Sequence, residues 1–281
     1  MTNDIILETR NLTKEFKGFT AVDDVNLSVQ RGQIHALIGP NGAGKTTVFN
    51  LLTKYLIPTH GQILFNGRDI TKVEASAIAR QGLVRSFQIS AVFPKLTVLE
   101  NVRVALQQRE GISFHFWKSE RVLDRLNDRA EQLLDDVGLL SFAHVATVDL
   151  PYGRKRALEI ATTLALEPEM LLLDEPTQGM GHEDVDRIAD LIKRVSVNRT
   201  ILMVEHNLHV VSKLADRITV LQRGAVLTEG DYATVSADPR VKEAYLGVAA
   251  DEEVEQSGEQ TTKEQTSKEQ TSKPEAEEAV V

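Results

Sequence analysis

Residues 39–46 read Gly39-Pro40-Asn41-Gly42-Ala43-Gly44-Lys45-Thr46, and this stretch decides the fold. It matches the pattern G-x-x-x-x-G-K-[ST], in which glycines let the backbone curl until successive N–H groups converge on phosphate oxygens. An apolar run, Ile34 to Ile38, precedes it as a short strand, and residues 47–55 continue it as a helix whose N-terminus adds positive charge. This context favours a phosphate loop over a plain glycine-rich turn. It predicts that Lys45 reaches the β- and γ-phosphates and that the Thr46 hydroxyl ligates Mg²⁺.

An acidic partner for the loop follows a second apolar run. Residues 170–173 form a short buried strand that delivers Asp174 and Glu175 to its carboxyl end, the edge where ligands of open α/β sheets bind. We expect Asp174 to hold Mg²⁺, directly or through water, and Glu175 to polarise the attacking water as a general base. The alternative is a solvated acidic pair at a strand end. The upstream phosphate loop favours the metal site, because such a loop requires an acid beside it.

Strand and helix patterns alternate before residue 247. Residues 25–29 alternate apolar and polar side chains, as in a half-buried strand. Residues 63–70, with an Asn-Gly pair at their centre, predict a hairpin with a tight turn. Residues 119–137 carry apolar side chains at helical spacing, and residues 201–204 read as another buried parallel strand. The pattern predicts an antiparallel piece first and βα units around a parallel sheet later.

The composition excludes several classes of function. The chain has 281 residues and no cysteine, which excludes disulfides, thiolate metal sites and cysteine nucleophiles. It lacks both a secretory signal and a run of about 18 apolar residues, so we expect a soluble or peripheral protein of the cytoplasm. The net charge is −9, of which residues 249–281 carry −7 (ten acidic residues, three lysines). The other 248 residues carry the remaining −2, so they lack the basic net charge that is typical of a nucleic-acid-binding domain.

Residues 248–281 are predicted to be an acidic, disordered tail. A five-residue unit, Glu-Gln-Thr-(Thr/Ser)-Lys, occurs three times in residues 259–273, and the segment has no aromatic residue. Such a composition buries too little apolar area to offset its ordering entropy. A solubilising role is the simplest interpretation. A docking tail, or a charged helix induced by a partner, stays open.

With these motifs in place, residues 5–247 resemble the ATPases of ABC transporters. Residues 39–47 have that family's form of the phosphate loop, and residues 173–177, Leu-Asp-Glu-Pro-Thr, match its second acidic motif. The resemblance implies an α/β P-loop NTPase fold of the ABC ATPase type. Its parts are a RecA-like parallel-sheet core, an N-terminal antiparallel β subdomain, and a helical subdomain at about residues 90–150 that includes the signature region. The ATPase domain would span residues 1–247.

Three further positions match family residues with known roles. Gln88, after residues 84–87 (Val-Arg-Ser-Phe), matches the glutamine that senses Mg²⁺ and the transmembrane partner. His206, 32 residues after Asp174, matches the histidine that contacts the γ-phosphate, and Phe16 matches the aromatic ring that stacks on adenine. Each has a structural alternative (a core ring, a surface glutamine, a structural histidine), and their common order and spacing favour the functional interpretation. The resemblance thus implies that ATP is held by Phe16, Gly39, Pro40, Asn41, Gly42, Ala43, Gly44, Lys45, Thr46, Thr47, Gln88 and Gly153, and Mg²⁺ by Thr46, Gln88 and Asp174.

The signature segment departs from the family's pattern. Residues 150–156 read Leu-Pro-Tyr-Gly-Arg-Lys-Arg where the common pattern is Leu-Ser-Gly-Gly-Gln. Pro151 removes a hydroxyl and a backbone N–H, and Arg154 replaces the glutamine. The N–H of Gly153, at a helix start, is still able to cap the γ-phosphate of ATP on the other subunit. We expect this segment to close a site less tightly than usual.

The loop after the acidic pair departs as well. Gly181 stands where many members have an aspartate that helps to join the two subunits. Glu183 and Asp184 are the available substitutes, and the sequence does not decide between them.

A further set of stretches assigns the chain within the family: residues 12–14, 21–25, 84–88, 96–102, 158–161, 204–206 and 243–247. In these stretches the chain is most similar to the ATPases of branched-chain amino acid uptake. The resemblance implies an ATP-hydrolysing subunit, with Glu175, His206 and Lys45 as its catalytic residues, that powers an importer of branched-chain amino acids or related small polar or amide compounds. Its partners would be transmembrane permease subunits, a second ATPase subunit (identical or sister) and, indirectly, an extracytoplasmic substrate-binding protein. It would lie at the cytoplasmic face of the cell membrane.

Two other functions stay open. A soluble ABC ATPase of repair or translation is less favoured, because the chain has one cassette and no sustained heptads. A nucleotide-binding scaffold with low turnover is suggested by Pro151 and Gly181.

Overall fold

The computed structural model describes residues 4–86, 92–109 and 125–245. Gln88, residues 119–124 of the predicted helix and the predicted tail, 248–281, lie outside the described residues. The strands are β1 (Ile5–Phe16), β2 (Phe19–Val25), β3 (Ser28–Gln30), β4 (Ile34–Ile38), β5 (His60–Phe65), β6 (Arg68–Asp69), β7 (Leu83–Ser86), β8 (Met170–Asp174), β9 (Thr200–Val204), β10 (Arg217–Gln222) and β11 (Ala225–Gly230). The α-helices are α1 (Lys45–Leu52), α2 (Ala75–Arg80), α3 (Val98–Arg109), α4 (Asn127–Asp136), α5 (Tyr152–Leu164), α6 (His182–Val195), α7 (Leu208–Leu214) and α8 (Tyr232–Ala237), with 3₁₀ turns at Leu140–Phe142 and Thr147–Asp149.

The first sheet is antiparallel and is built on the long strand β1. Its order is β2-β1-β5-β6, and β3 pairs with β1 as well. Val25, Leu27 and Val29 are all buried, as their alternation predicts. The prediction of one strand over residues 25–29 is wrong, because β2 ends at Val25 and β3 begins at Ser28. The Thr9 hydroxyl fills the break, since it donates to the Val25 carbonyl (2.8 Å) and accepts from the Leu27 N–H (2.9 Å).

The predicted hairpin is confirmed. Strands β5 and β6 pair antiparallel, with Leu64 opposite Asp69 and Phe65 opposite Arg68. The two residues between the strands have positive φ, 50° at Asn66 and 72° at Gly67. A two-residue turn with positive φ at both positions matches the twist of the strands that it joins. Asn and Gly adopt positive φ readily, so the Asn-Gly pair predicts this turn from the sequence.

The second sheet is the parallel core, and it confirms the predicted strands at residues 34–38, 170–173 and 201–204. Its order is β11-β10-β4-β9-β8-β7, with β11 the antiparallel edge strand. Strands β4, β8 and β9 are buried along their whole length. Alternate residues therefore face two different layers. One layer contains α3, α4, α5 and α6, and the other contains α1 and the antiparallel sheet.

Two predicted helices begin or end elsewhere than expected. The helix after the phosphate loop stops at Leu52 rather than residue 55, and Lys54 takes a left-handed φ of 64° that no helix continues. In the described part of residues 119–137 the helix begins at Asn127. Leu126 buries its side chain from a turn at residues 125–126, so the predicted helix is interrupted there.

The described part of the chain contains no helix long and apolar enough to cross a membrane.

The parallel sheet carries a buried histidine that makes stability depend on pH. His35, in β4, is fully buried, and its Nε2 lies 2.8 Å from the Thr219 hydroxyl. That hydroxyl donates to Glu229 (2.7 Å), so Nε2 carries the proton of a neutral ring. Burial lowers the pKa of His35 to about 4, with the Glu229 charge opposing the shift and Arg217 adding to it.

We predict that the free energy of unfolding falls as the pH is lowered from about 6.5 to about 4. In that pH window His35 binds a proton in the unfolded chain but not in the folded chain. The free energy of unfolding therefore falls by about 2 kcal/mol by about pH 5. Urea unfolding at about pH 7.5 and about pH 5 measures it. His35→Gln should reduce the loss, whereas His60→Gln, at an exposed position of the other sheet, should not. Equal losses in the wild type and His35→Gln would contradict the assignment.

Candidate functional site

The site lies at one edge of the parallel sheet, where three neighbouring strands end. The phosphate loop follows β4, Asp174 ends β8, and β9 lies between them and leads into His206. Because these strands are parallel, their carboxyl ends meet at the same edge. The topology therefore brings the glycine loop, the acidic pair and the histidine to one place.

Close backbone contacts require the glycines of the loop. A Cβ at Gly39 would lie 2.2 Å from the Leu221 carbonyl oxygen, and one at Gly44 would lie 2.6 Å from the Ala21 carbonyl oxygen. Both glycines also have positive φ, 149° and 99°, as does Gly42 at 74°. The Ala43 carbonyl accepts the Gly224 N–H at 3.0 Å. The loop is therefore held from β2 on one side and from the β10–β11 turn on the other.

Lys45 folds back over its own loop. Its ammonium donates to the carbonyls of Gly39 (2.7 Å) and Pro40 (2.9 Å), and its side chain is buried. Burial lowers the pKa of Lys45, and the negative charge of Glu175 opposes that shift. Thr46 is exposed and Thr47 half-buried at the start of α1. The lysine is thus already positioned within the loop, and Thr46 is accessible beside it.

The acidic pair divides into a buried and a partly exposed carboxylate. Asp174 is completely buried, and one of its oxygens, Oδ2, accepts from the Arg85 guanidinium. Its other oxygen, Oδ1, has no hydrogen-bond donor among the described residues. Glu175 is half-buried with a φ of 44°, and its N–H donates to the Val204 carbonyl at 2.9 Å. An unpartnered buried carboxylate oxygen suits a hard cation or its bound water, so the donor set fits Mg²⁺.

A buried glutamate that the sequence analysis missed holds His206. Glu205 is fully buried and accepts the N–H groups of His206 (2.8 Å) and Asn207 (3.0 Å) through Oε2. Its Oε1 accepts the N–H (3.2 Å) and the hydroxyl of Thr177. The His206 ring itself is exposed. Glu205 therefore fastens the loop that carries the histidine to the loop that follows the acidic pair.

Phe16 lies at the end of β1 and is 41% exposed, so it is not a core ring. Its cross-strand neighbour is Phe19, also exposed. The Lys14 ammonium lies 5.1 Å from the Phe16 ring centre. An exposed ring with a cation near it presents a flat surface on which a base could stack.

In the signature segment, α5 begins at Tyr152 with Pro151 at the N-cap position and no side-chain cap. The Arg154 guanidinium stacks on the Phe142 ring at 4.0 Å. A Cβ at Gly153 would come within 3.0 Å of the Asp184 carboxyl group, so this glycine allows the start of α5 to approach α6. Of the two substitutes for Gly181, Glu183 is almost fully exposed, and Asp184 pairs with Arg187 at 3.3 Å.

Two arginines, Arg156 buried and Arg85 largely so, were also missed. Arg85 contacts Asp174, and Arg156 donates to the Asp174 carbonyl (3.0 Å) and to Glu159 (2.7 Å). The sequence feature that could have identified them is a charged residue within an otherwise apolar strand or helix face. Such residues are seldom buried without a partner, so this feature indicates a buried ion pair. Gln88 lies outside the described residues, so its predicted role stays a prediction.

Comparison with known proteins places this geometry in a family. The sequence model of the ABC transporter family matches residues 22–178, and that of the branched-chain amino acid ATP-binding cassette transporter matches residues 225–251. The high-affinity branched-chain amino acid transport ATP-binding protein BraF of Pseudomonas aeruginosa is 39% identical over 254 residues, which cover 87% of this chain and 98% of that protein.

Solved structures agree with this placement. The crystal structure of the ADP conformation of an ATP-binding cassette from an ABC transporter aligns with a TM-score of 0.76 at 29% identity, covering 86% of this chain and 99% of that one. A dimeric, post-hydrolysis ATP-binding cassette bound to ADP and Pi aligns with a TM-score of 0.67 at 26% identity, covering 80% and 98%.

We predict that Glu205→Gln destabilises the chain by about 2–4 kcal/mol and slows nucleotide hydrolysis. The amide NH₂ would face backbone N–H groups that now donate to a carboxylate, and each unsatisfied buried donor costs about 1–3 kcal/mol. Urea unfolding and single-turnover hydrolysis measure the two effects. Glu131→Gln, at an exposed position of α4, is the control. A Glu205→Gln chain with unchanged stability and rate would show that this carboxylate does not hold the His206 loop.

Proposed function

Because the chain belongs to the ABC transporter family of ATP-binding cassettes, we propose that it hydrolyses ATP to power an importer of branched-chain amino acids or related small polar or amide compounds. ATP binding and hydrolysis are properties of the family. The substrate class rests on the resemblance to uptake ATPases and on the relatives named above. The observation that carries the proposal is the shared edge of the parallel sheet, where the glycine loop, Lys45 and the acidic pair Asp174–Glu175 meet.

Each part of the site has a role in this reaction. The N–H groups of residues 39–47 and the Lys45 ammonium hold the phosphates, and Phe16 stacks on adenine. Thr46 and Asp174 would hold Mg²⁺, which would supply positive charge against the phosphates, and Gln88 is proposed as a further ligand. The remaining catalytic residues are Glu175, which polarises the attacking water, and His206, which steadies the γ-phosphate.

Two such subunits would face each other, with ATP between the phosphate loop of one and the signature segment of the other. The dimeric neighbour bound to ADP and Pi supports the pairing of two subunits. The signature segment contributes Gly153 and the N-terminus of α5. Transmembrane permease subunits would dock near Gln88 and the helical region at about residues 90–150. The assembly would lie at the cytoplasmic face of the membrane, receive substrate from an extracytoplasmic binding protein, and use ATP-driven closure of the dimer to move the permease.

The matched relatives are transport proteins, which favours an importer subunit over a soluble ABC ATPase of repair or translation. Fractionation of cells separates these functions. Co-purification with membranes supports the importer, and co-sedimentation with ribosomes or DNA would contradict it. A low-turnover scaffold would instead show nucleotide binding with negligible hydrolysis, alone and with its membrane partners.

We predict that Glu175→Gln retains ATP binding and loses about 10²–10⁴-fold in turnover, since general-base catalysis contributes that much. Lys45→Ala should weaken ATP binding about tenfold or more, because it removes a charged donor to phosphate. Equilibrium binding of a fluorescent ATP analogue and phosphate release measure the two properties. Lys193→Ala, at an exposed position of α6, is the control for the lysine. Full turnover by Glu175→Gln would remove this residue from the role of base.

We predict that Pro151→Ser increases the hydrolysis rate of the assembled dimer and stabilises the chain by about 1 kcal/mol. A serine at this N-cap position supplies the missing helix cap and a hydroxyl for the phosphate of the facing subunit. Pro151→Ala, which restores the N–H without the hydroxyl, is the matched control. Steady-state hydrolysis of the two variants and the wild type measures the effect, and equal rates for the wild type and Pro151→Ser would refute it.

A further inference from the structure

Arg85 is a buried cation at the centre of the site that the proposed mechanism does not use. It lies in β7, next to β8, and its side chain is 10% exposed. Its Nη2 donates to Oδ2 of Asp174, whose side chain is 1% exposed. The contact is thus an ion pair out of water, where an unpartnered charge would be strongly destabilising.

The arginine is held in place from α1, the helix that begins at Lys45. Its Nη1 donates to the Asn50 side-chain oxygen at 2.7 Å. Its guanidinium carbon lies 5.9 Å from the Phe49 ring centre and 5.8 Å from that of Tyr55. A guanidinium fixed by a hydrogen bond and two rings is a rigid donor. The helix that carries the phosphate-binding lysine therefore also sets the position of Arg85.

The two oxygens of Asp174 are in different situations. Oδ2 is taken by Arg85, and Oδ1 has no donor among the described residues. The carboxylate is therefore paired with a protein cation through one oxygen, and its other oxygen is buried without a donor among the described residues. Any metal bound through Oδ1 adds a second positive charge beside the guanidinium, and the two cations repel each other.

We propose that Arg85 is a positioning residue that acts as the resident counter-cation of Asp174. It keeps the carboxylate oriented, with Oδ1 free of protein donors among the described residues, when no metal–nucleotide is bound, and it weakens the binding of the metal that arrives with ATP. The proposal rests on the proposed function, because it takes Mg²⁺ to be that metal. By weakening metal binding, Arg85 allows the metal–nucleotide to leave the site and be replaced at each turnover. A buried carboxylate with no counter-cation would oppose this release.

Two measurements on the purified full chain test it. The first is the free Mg²⁺ concentration that half-saturates nucleotide binding, with affinity for ATP in EDTA measured beside it. Arg85→Met should lower this concentration by roughly tenfold, as expected for the loss of one nearby partly screened charge. ATP affinity without metal should stay within about twofold, and Arg85→Lys, which keeps the charge, should stay near the wild type.

The second measurement is thermal stability without metal or nucleotide. Arg85→Met should unfold at a lower temperature than the wild type because it leaves Asp174 unpaired. Adding Asp174→Asn should restore much of the loss by removing the charge. Arg31→Met, at a partly exposed ion pair with Asp4 and Glu169, controls for the loss of an arginine and should leave the Mg²⁺ requirement unchanged.

The outcomes separate the two proposals. A wild-type chain whose nucleotide binding ignores Mg²⁺ overturns the proposed function, whatever the variants do. A second outcome is that nucleotide binding by the wild type depends on Mg²⁺ and Arg85→Met needs the same or a higher Mg²⁺ concentration for half-saturation. In that case the counter-cation role is wrong, and Arg85 acts as an orienting donor for metal binding. If Arg85→Met does not fold, the comparison of Arg85→Met/Asp174→Asn with Asp174→Asn decides: a double variant that also fails to fold contradicts the proposal.

Discussion

The contact of the phosphate loop with its two backbone neighbours is the constraint on which the site depends. Gly39 lies against the Leu221 carbonyl and Gly44 against the Ala21 carbonyl, at distances that leave no room for a side chain. Leu221 belongs to the parallel sheet and Ala21 to the antiparallel one. The loop is therefore clamped where the two sheets meet. Phe16, on the strand paired with β2, is fixed relative to the loop by the same contacts, so the fold positions the proposed adenine and phosphate contacts together.

Buried carboxylates fix the rest of the site, and each depends on its partners because a bare charge in the interior is unstable. Asp174 is held by Arg85 at its side chain, and by Arg156 at its carbonyl. Glu205 is held by backbone N–H groups of two loops and by Thr177. Because Arg156 lies in α5, the helix that opens with the signature segment is hydrogen-bonded to the strand that carries the acidic pair. A shift of that helix would therefore act on the carbonyl of Asp174.

Local patterns predicted the features that depend on local chemistry. The strand at residues 34–38, the glycine loop, the Asn-Gly turn and the buried strand before Asp174 follow from periodicity and turn preferences, and the structure confirms each of them. The helix after the loop is also present, but it ends at Leu52 rather than at the predicted residue 55. The break between β2 and β3 was not predictable, because it depends on a hydroxyl that approaches from Thr9, 16 residues earlier. Glu205 and Arg85 were missed for the same reason. Thr177, which accounts for one oxygen of Glu205, and Asp174, which pairs with Arg85, are distant in the chain, and a single charged residue in an apolar run does not identify them.

The position of Lys45 shows how a preformed site can still respond to its ligand. Its ammonium is already bound by two carbonyls of the loop, so a phosphate gains this donor only if the lysine gives up those hydrogen bonds or shares them. The exchange is favourable because an anionic oxygen is a stronger acceptor than a carbonyl, and because burial has lowered the pKa of the lysine and so favours an anionic partner. Glu175 offers a competing negative charge nearby. Within the proposed pair of subunits, part of the binding energy of ATP would thus be spent within one subunit, and a closed pair that binds ATP more tightly than the open pair would couple nucleotide binding to closure.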